Sequence, residues 1–112
     1  MKGEALKGHL DLLLLAVLHM RPAHGYAVIE ELSRLSGSTF DLTEGTIYPA
    51  LHRLERTGLI SSRWSEETGR KRRVYELTDR GRAALGELHD DWRRFSDGVN
   101  ALLGEVFEPC PA

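Results

Sequence analysis

After Gly58 the apolar pattern changes period, and that change restricts the folds open to this chain more than any other feature. LISSRW and RRVYEL are short runs of β-formers separated by SEETGRK, in which Thr68-Gly69 marks a turn. The pair predicts a β-hairpin. Everything before it repeats at helical spacing. Leu6 to Met20 predicts a first helix, apolar on nearly every face and so buried from more than one side. Pro22 stops it, and PAH forms the connection. Gly25 to Leu35 predicts a second helix, with Tyr26, Ile29, Leu32 and Leu35 inside and Glu30, Glu31 and Arg34 outside; SGS closes it. A third helix lies in TEGTIYPALHRLERTGL, with Ile47, Leu51 and Leu54 on its core side, Thr43 as cap and Gly58 as left-handed stop. Pro49 sits early in it, so an irregular first turn is expected rather than a break. TDRG opens a last helix, with Thr78 as cap.

Helix, helix, helix, hairpin, helix is the order of a winged helix-turn-helix, a mainly α fold with a small β-hairpin. Residues 1–78 would form the DNA-binding domain, 79–108 a long C-terminal dimerisation helix and 109–112 a tail. At 112 residues one domain is expected, and 41% hydrophobic with 29% charged residues is the balance of a globular chain. The single cysteine, Cys110, lies between two prolines and has no partner for an internal disulfide, which favours a cytoplasmic location. The run LLLLAVL falls far short of the roughly 20 residues that span a bilayer, so no membrane is expected. His9, His19, His24, His52 and His89 show neither HExxH nor paired-ligand spacing, and no Gly-rich phosphate loop or GxSxG occurs. Neither an enzyme, a metal site nor a cofactor is expected.

The formal net charge of -2 hides an asymmetry. Ser61 to Arg82 holds seven basic residues against four acidic ones, whereas Ala83 onward holds two against six. Arg70, Lys71, Arg72 and Arg73 are consecutive on the hairpin. A solvated turn would account for them, but a hairpin after a helix-turn-helix lies beside the DNA backbone, which favours phosphate contact. If Val74 faces the core, Arg72 shares its side and Lys71, Arg73 and Tyr75 share the other. The outer face of the third helix carries Gly45, Thr46, Pro49, His52, Arg53 and Arg56, with Tyr48 on a flank. Thr43, Thr46 and Tyr48 suit phosphates near the helix start, and His52 and Arg53 suit base edges. A half-buried core aromatic is the other reading of Tyr48, and a solvated face that of Arg53 and Arg56.

Leu85, Leu88, Trp92, Phe95, Val99, Leu102 and Val106 follow at intervals of 3, 4, 3, 4, 3 and 4. That heptad period belongs to helix pairing and predicts a homodimer. About three heptads are too short to hold a dimer alone, so Leu10, Leu13, Leu14 and Val17 of the first helix are expected to join the interface.

HGYAVIEEL, TEGTIYPALHRLERTGLI, GRKRRVYELTDRGR and WRRFSDGVNALL together resemble the PadR family of transcriptional regulators, over nearly the whole of Leu10 to Leu103. The short C-terminus is similar to the compact branch of that family. The resemblance implies a dimeric repressor binding double-stranded DNA, with Tyr48 on the DNA backbone. It also implies a small aromatic or drug-like effector in some members, and Leu88, Asp91, Trp92 and Phe95 would then frame a flat apolar pocket at the twofold axis. A plain dimer-core role for Trp92 and Phe95 is the competing reading. Rival functions for the fold are protein–protein binding and non-specific nucleic-acid binding without an effector.

Overall fold

The computed structural model describes residues 8–66 and 69–108. Helix α1, Leu10–Met20, buries Leu10, Leu14, Leu15, Val17 and Leu18, since leucines lie on all its sides and α1 is packed against by three later helices and a strand. The expected start at Leu6 lies outside the described residues. Arg21 is extended, with φ -171 and ψ 154, as a residue before proline prefers to be.

The next step departs from expectation. Ala23–His24 is a strand, β1, and not a plain connection. It pairs antiparallel with β3, Arg72–Leu77, through Ala23↔Tyr75 and His24↔Val74. Strand β2, Ile60–Ser65, pairs with β3 on its other side, from Ile60↔Leu77 to Ser65↔Arg72, giving the order β1-β3-β2. The hairpin is thus the larger part of a three-stranded sheet. On β3 it is Tyr75, 1% exposed, and Leu77 that face the core. Val74 lies on the opposite side with Arg72, and Arg73 shares the core side beyond the edge of the packing. The large flat ring of Tyr75 fills the space between sheet and helices that Val74 was expected to fill. Thr68 of the turn lies outside the described residues.

Helix α2 spans Gly25–Leu35, and its inner face is Gly25, Val28 and Leu32, with Ile29 packed alongside. Tyr26 and Leu35, expected inside, are 53% and 49% exposed. The buried stripe at intervals of three and four residues begins at the glycine, which turns Tyr26 outward. Gly25 lets the Tyr48 ring lie close: a Cβ there would stand 2.6 Å from it. The expected closure at Ser36–Ser38 is found: the Ser36 hydroxyl donates to Leu32 O at 2.6 Å, and Gly37 and Ser38 take φ of 61 and 67.

Helix α3, Glu44–Arg56, runs through Pro49 unbroken, with Ile47, Leu51 and Leu54 fully buried. Thr43 is its first flanking residue, but the Thr43 hydroxyl caps no backbone N–H; it lies 3.4 Å from the Thr46 hydroxyl. Gly58 follows at φ 81, the left-handed stop. Helix α4 covers Asp79–Phe107. The Thr78 hydroxyl accepts from Gly81 N–H at 3.1 Å and donates to Gly58 O at 2.7 Å, while Thr78 N–H donates to Leu59 O at 3.2 Å. These bonds join the start of α4 to the end of α3 and the root of β2.

The 29 residues of α4 reach roughly 43 Å at about 1.5 Å per residue, so the helix extends past the three-helix core and the molecule measures 67 × 27 × 21 Å. Leu85 and Leu88 pack on the chain's own core, Val99 is half-buried, and Phe95, Leu102 and Val106 are about 60% exposed. Leu10, Leu14 and Val17 are at most 8% exposed. They are enclosed within this chain's own core; Leu13 is half-buried. Residues 109–112, Cys110 among them, lie outside the described residues. Among the described residues, three helices, a small antiparallel sheet and a long C-terminal helix form a winged helix-turn-helix, as the hydrophobic periods predict.

Candidate nucleic-acid interface

With roughly 100° between successive residues, burying Ile47, Leu51 and Leu54 turns Gly45, His52 and Arg56 directly outward on α3. Pro49 stands beside them, and all four are exposed. Tyr48 and Glu55 fall on the flank toward the sheet, and Thr46 and Arg53 on the flank toward α1. Tyr48 is half-buried: its ring lies over Gly25 and is tilted at 49° to His52, with centroids 6.4 Å apart.

Arg53 does not stand free to meet a base edge. Its guanidinium donates twice to Asp11 of α1, at 2.6 and 3.1 Å, a bidentate pair that holds its pKa above the usual value. The pair is partly solvated, with side chains 46% and 37% exposed.

The wing divides its four cations by the pleat. Arg70 and Lys71 are exposed and have no ion pair with any described residue. Arg72 Nη1 lies 3.0 Å from His24 Nε2. Arg73 is bound inward: Nε donates to Ser62 Oγ at 2.7 Å, the guanidinium is 3.8 Å from Glu55, and it stacks 5.2 Å from the ring of Trp64. Ser62 also hydrogen-bonds Glu55, so α3 and the wing are tied by one network. The same carboxylate lies near Tyr75, whose pKa is raised by burial first and by Glu55 next.

Between these elements is a cleft of ≈ 510 Å³ lined by His24, Tyr26, Glu44, Tyr48 and Arg70 to Arg73. It brings together Tyr48 and all four wing cations, which the sequence marked separately. It adds His24 and Tyr26, which the sequence did not mark. The position of His24 before a helix-starting glycine was a visible cap signal; its approach to Arg72 depends on strand pairing that a two-residue strand does not announce. Thr43, just before α3, and Thr46, Pro49 and His52 on it lie outside this cleft.

A second cleft, ≈ 860 Å³, lies between α1, α3 and α4. Leu88, Asp91, Trp92 and Phe95 line one side, and Pro49, Ala50, Arg53 and Arg56 of α3 the other. The Trp92 ring is 5.8 Å from Phe95 and meets His9 edge-on at 5.2 Å. Asp91 is paired with Arg94 at 2.6 Å. Among the described residues no helix is long and apolar enough to cross a membrane.

Residues 14–87 match the model of the transcriptional regulator PadR-like family. The transcriptional regulator Rv3488 of Mycobacterium tuberculosis is 43% identical over 81 residues, 72% of this chain and 70% of its own. Among solved structures, a PadR family transcriptional regulator from Eggerthella lenta is 35% identical, with a TM-score of 0.78 over 89% of this chain and 86% of its own. A transcriptional regulator from Clostridium thermocellum is 26% identical, with a TM-score of 0.80 over 88% of this chain and 96% of its own. With the outward face of α3, the cationic wing and the long α4 in place, the chain belongs to the PadR-like family of transcriptional regulators.

Proposed function

We propose that the protein is a sequence-specific DNA-binding repressor acting in the cytoplasm, with residues 1–78 on the DNA and 79–108 pairing two copies into a homodimer. The observation that carries this reading is the gathering of Tyr48, Arg70, Lys71 and Arg72 around one cleft beside the outward face of α3. Phosphate contacts set register, and His52 and Arg56 then stand where base edges are read. Thr43, Thr46 and Pro49 lie beside them on the approach. Arg73 serves by holding the wing to α3.

Dimerisation is supported by α4. A helix that projects beyond its own core with Phe95, Leu102 and Val106 exposed gains by pairing, because each apolar side chain buried contributes about 1.5 to 3 kcal/mol. Two copies would then present two α3 helices about 34 Å apart, one turn of DNA, to an inverted repeat. The Trp92 cleft supports release by a small aromatic or hydrophobic effector, because its far wall is α3 itself. Repression, as against activation, rests on family analogy.

Selection of binding sites from a random duplex library tests the reading. An enriched inverted repeat with half-sites one turn apart, bound at least ~10³-fold more tightly than bulk sequence, is expected. Equal affinity for selected and unselected DNA would leave only non-specific binding. No DNA binding would leave a winged helix turned to protein partners.

A further inference from the structure

His24 meets a hydrogen-bond donor at each of its two ring nitrogens. Its Nδ1 accepts from Ala27 N–H at 3.3 Å and caps α2. Its Nε2 lies 3.0 Å from Nη1 of Arg72. The backbone amide can only donate, and so can a guanidinium, which keeps its charge in proteins. An imidazole carries a hydrogen on at least one ring nitrogen, so it cannot accept at both. If the cap is kept, Nε2–H and the Arg72 N–H point at each other. Two donors this close are satisfied together by one acceptor oxygen lying to the side of both, and an anion suits a pair that includes a guanidinium.

The surroundings fit that acceptor. The cleft is also lined by Arg70, Lys71, Tyr26 and Tyr48, and by one acid, Glu44. Glu44 makes no hydrogen bond to His24 or Arg72. The position is fixed from the backbone, because His24 pairs with Val74, next but one to Arg72 on the same face of β3. Resting on the DNA-binding reading above, we propose that His24 and Arg72 together clamp one phosphodiester oxygen of the DNA backbone from the same side, with His24 donating from Nε2. Tyr48 and Tyr26 flank that phosphate, and Lys71 and Arg70 meet its neighbours along the strand.

His24→Asn separates the clamp from the cap. Asparagine is among the best capping residues, but its shorter amide, engaged by Ala27, does not replace Nε2. The variant is expected to melt as the wild type does and to bind its selected duplex about ten-fold more weakly or worse. Arg72→Ala should lose a similar factor and lower the salt slope by about one. Because both groups serve one phosphate, the double variant should lose less than the product of the two factors. In long-range ¹H–¹⁵N spectra of the complex, His24 should show a proton on Nε2. Inorganic phosphate at a matched phosphate concentration should leave the spectrum of the free protein unchanged. Wild-type affinity in His24→Asn, multiplicative losses, an unprotonated Nε2 in the complex or an equal response to inorganic phosphate would each overturn the clamp. Failure of the wild type to bind any duplex would instead remove the DNA-binding reading beneath it.

Discussion

Gly81 is the position where the smallest change should do the most damage. It is the one buried residue of α4, in the helix's first turn, and a Cβ added there would lie 2.0 Å from the carbonyl oxygen of Leu59 and 3.0 Å from its carbon. The obstacle is backbone, so no rotamer change relieves it. The same oxygen accepts from Thr78 N–H, and Gly81 N–H donates to the Thr78 hydroxyl. Gly81→Ala therefore forces α4 off the end of β2, at about 1 to 3 kcal/mol for overpacking, and strains two hydrogen bonds worth about 1 kcal/mol each. A sum near 3.5 kcal/mol, set against about 2.1 cal/mol/K of unfolding entropy per residue, lowers Tm by roughly 15 °C. Gly86→Ala is the internal control: nothing lies within 4 Å of a Cβ there, and replacing a helical glycine gains about 0.8 kcal/mol, or roughly 3 °C. Thermal unfolding followed by circular dichroism at one fixed protein concentration compares the two. Gly81→Ala melting within about 3 °C of the wild type would refute the docking argument.

Three further outcomes are expected. Gly25→Ala would press on the Tyr48 ring at 2.6 Å, a side chain that can swing aside; it should leave Tm nearly unchanged yet weaken DNA binding several-fold, and unchanged affinity would remove Tyr48 from the interface. Asp11→Asn breaks a half-exposed ion pair, so it should cost under about 1 kcal/mol in urea titrations while tightening DNA binding by releasing Arg53; weaker binding would show that the pair holds α3 in place. Tyr75, buried and beside Glu55, stays neutral in the folded protein above the pH at which an unfolded tyrosine ionises. Stability from it is full below about pH 10 and is lost as pH rises through the folded value, so Tyr75→Phe should move alkaline unfolding upward; coincident transitions would count against this.

Helical and strand periods alone locate α2, α3, the hairpin and α4, because each carries an apolar stripe at fixed spacing. Ile47, Leu51 and Leu54 lie inside for that reason. The departures at β1, Val74, Arg53 and Arg73 share a cause: they depend on pairing between distant segments. Strand β1 has two residues and no period, and only β3 makes it a strand. Tyr75 displaces Val74 from the core through the register of the whole sheet. The pairing of Arg53 depends on folding, which brings Asp11, 42 residues earlier, to within 2.6 Å. Arg73 likewise turns inward because Glu55 and Ser62 come within its reach. Charge type was legible from the sequence, but whether each charge is free was not.

Arg70 and Lys71 are therefore the wing cations on which the account depends most directly. Affinity for the selected duplex, measured by fluorescence anisotropy from low to moderate salt, should fall log-linearly in the wild type. In the double Arg70→Ala, Lys71→Ala variant the slope should be smaller by about two, because two phosphate contacts are gone. A variant with the wild-type slope would contradict the account and leave the wing a solvated turn.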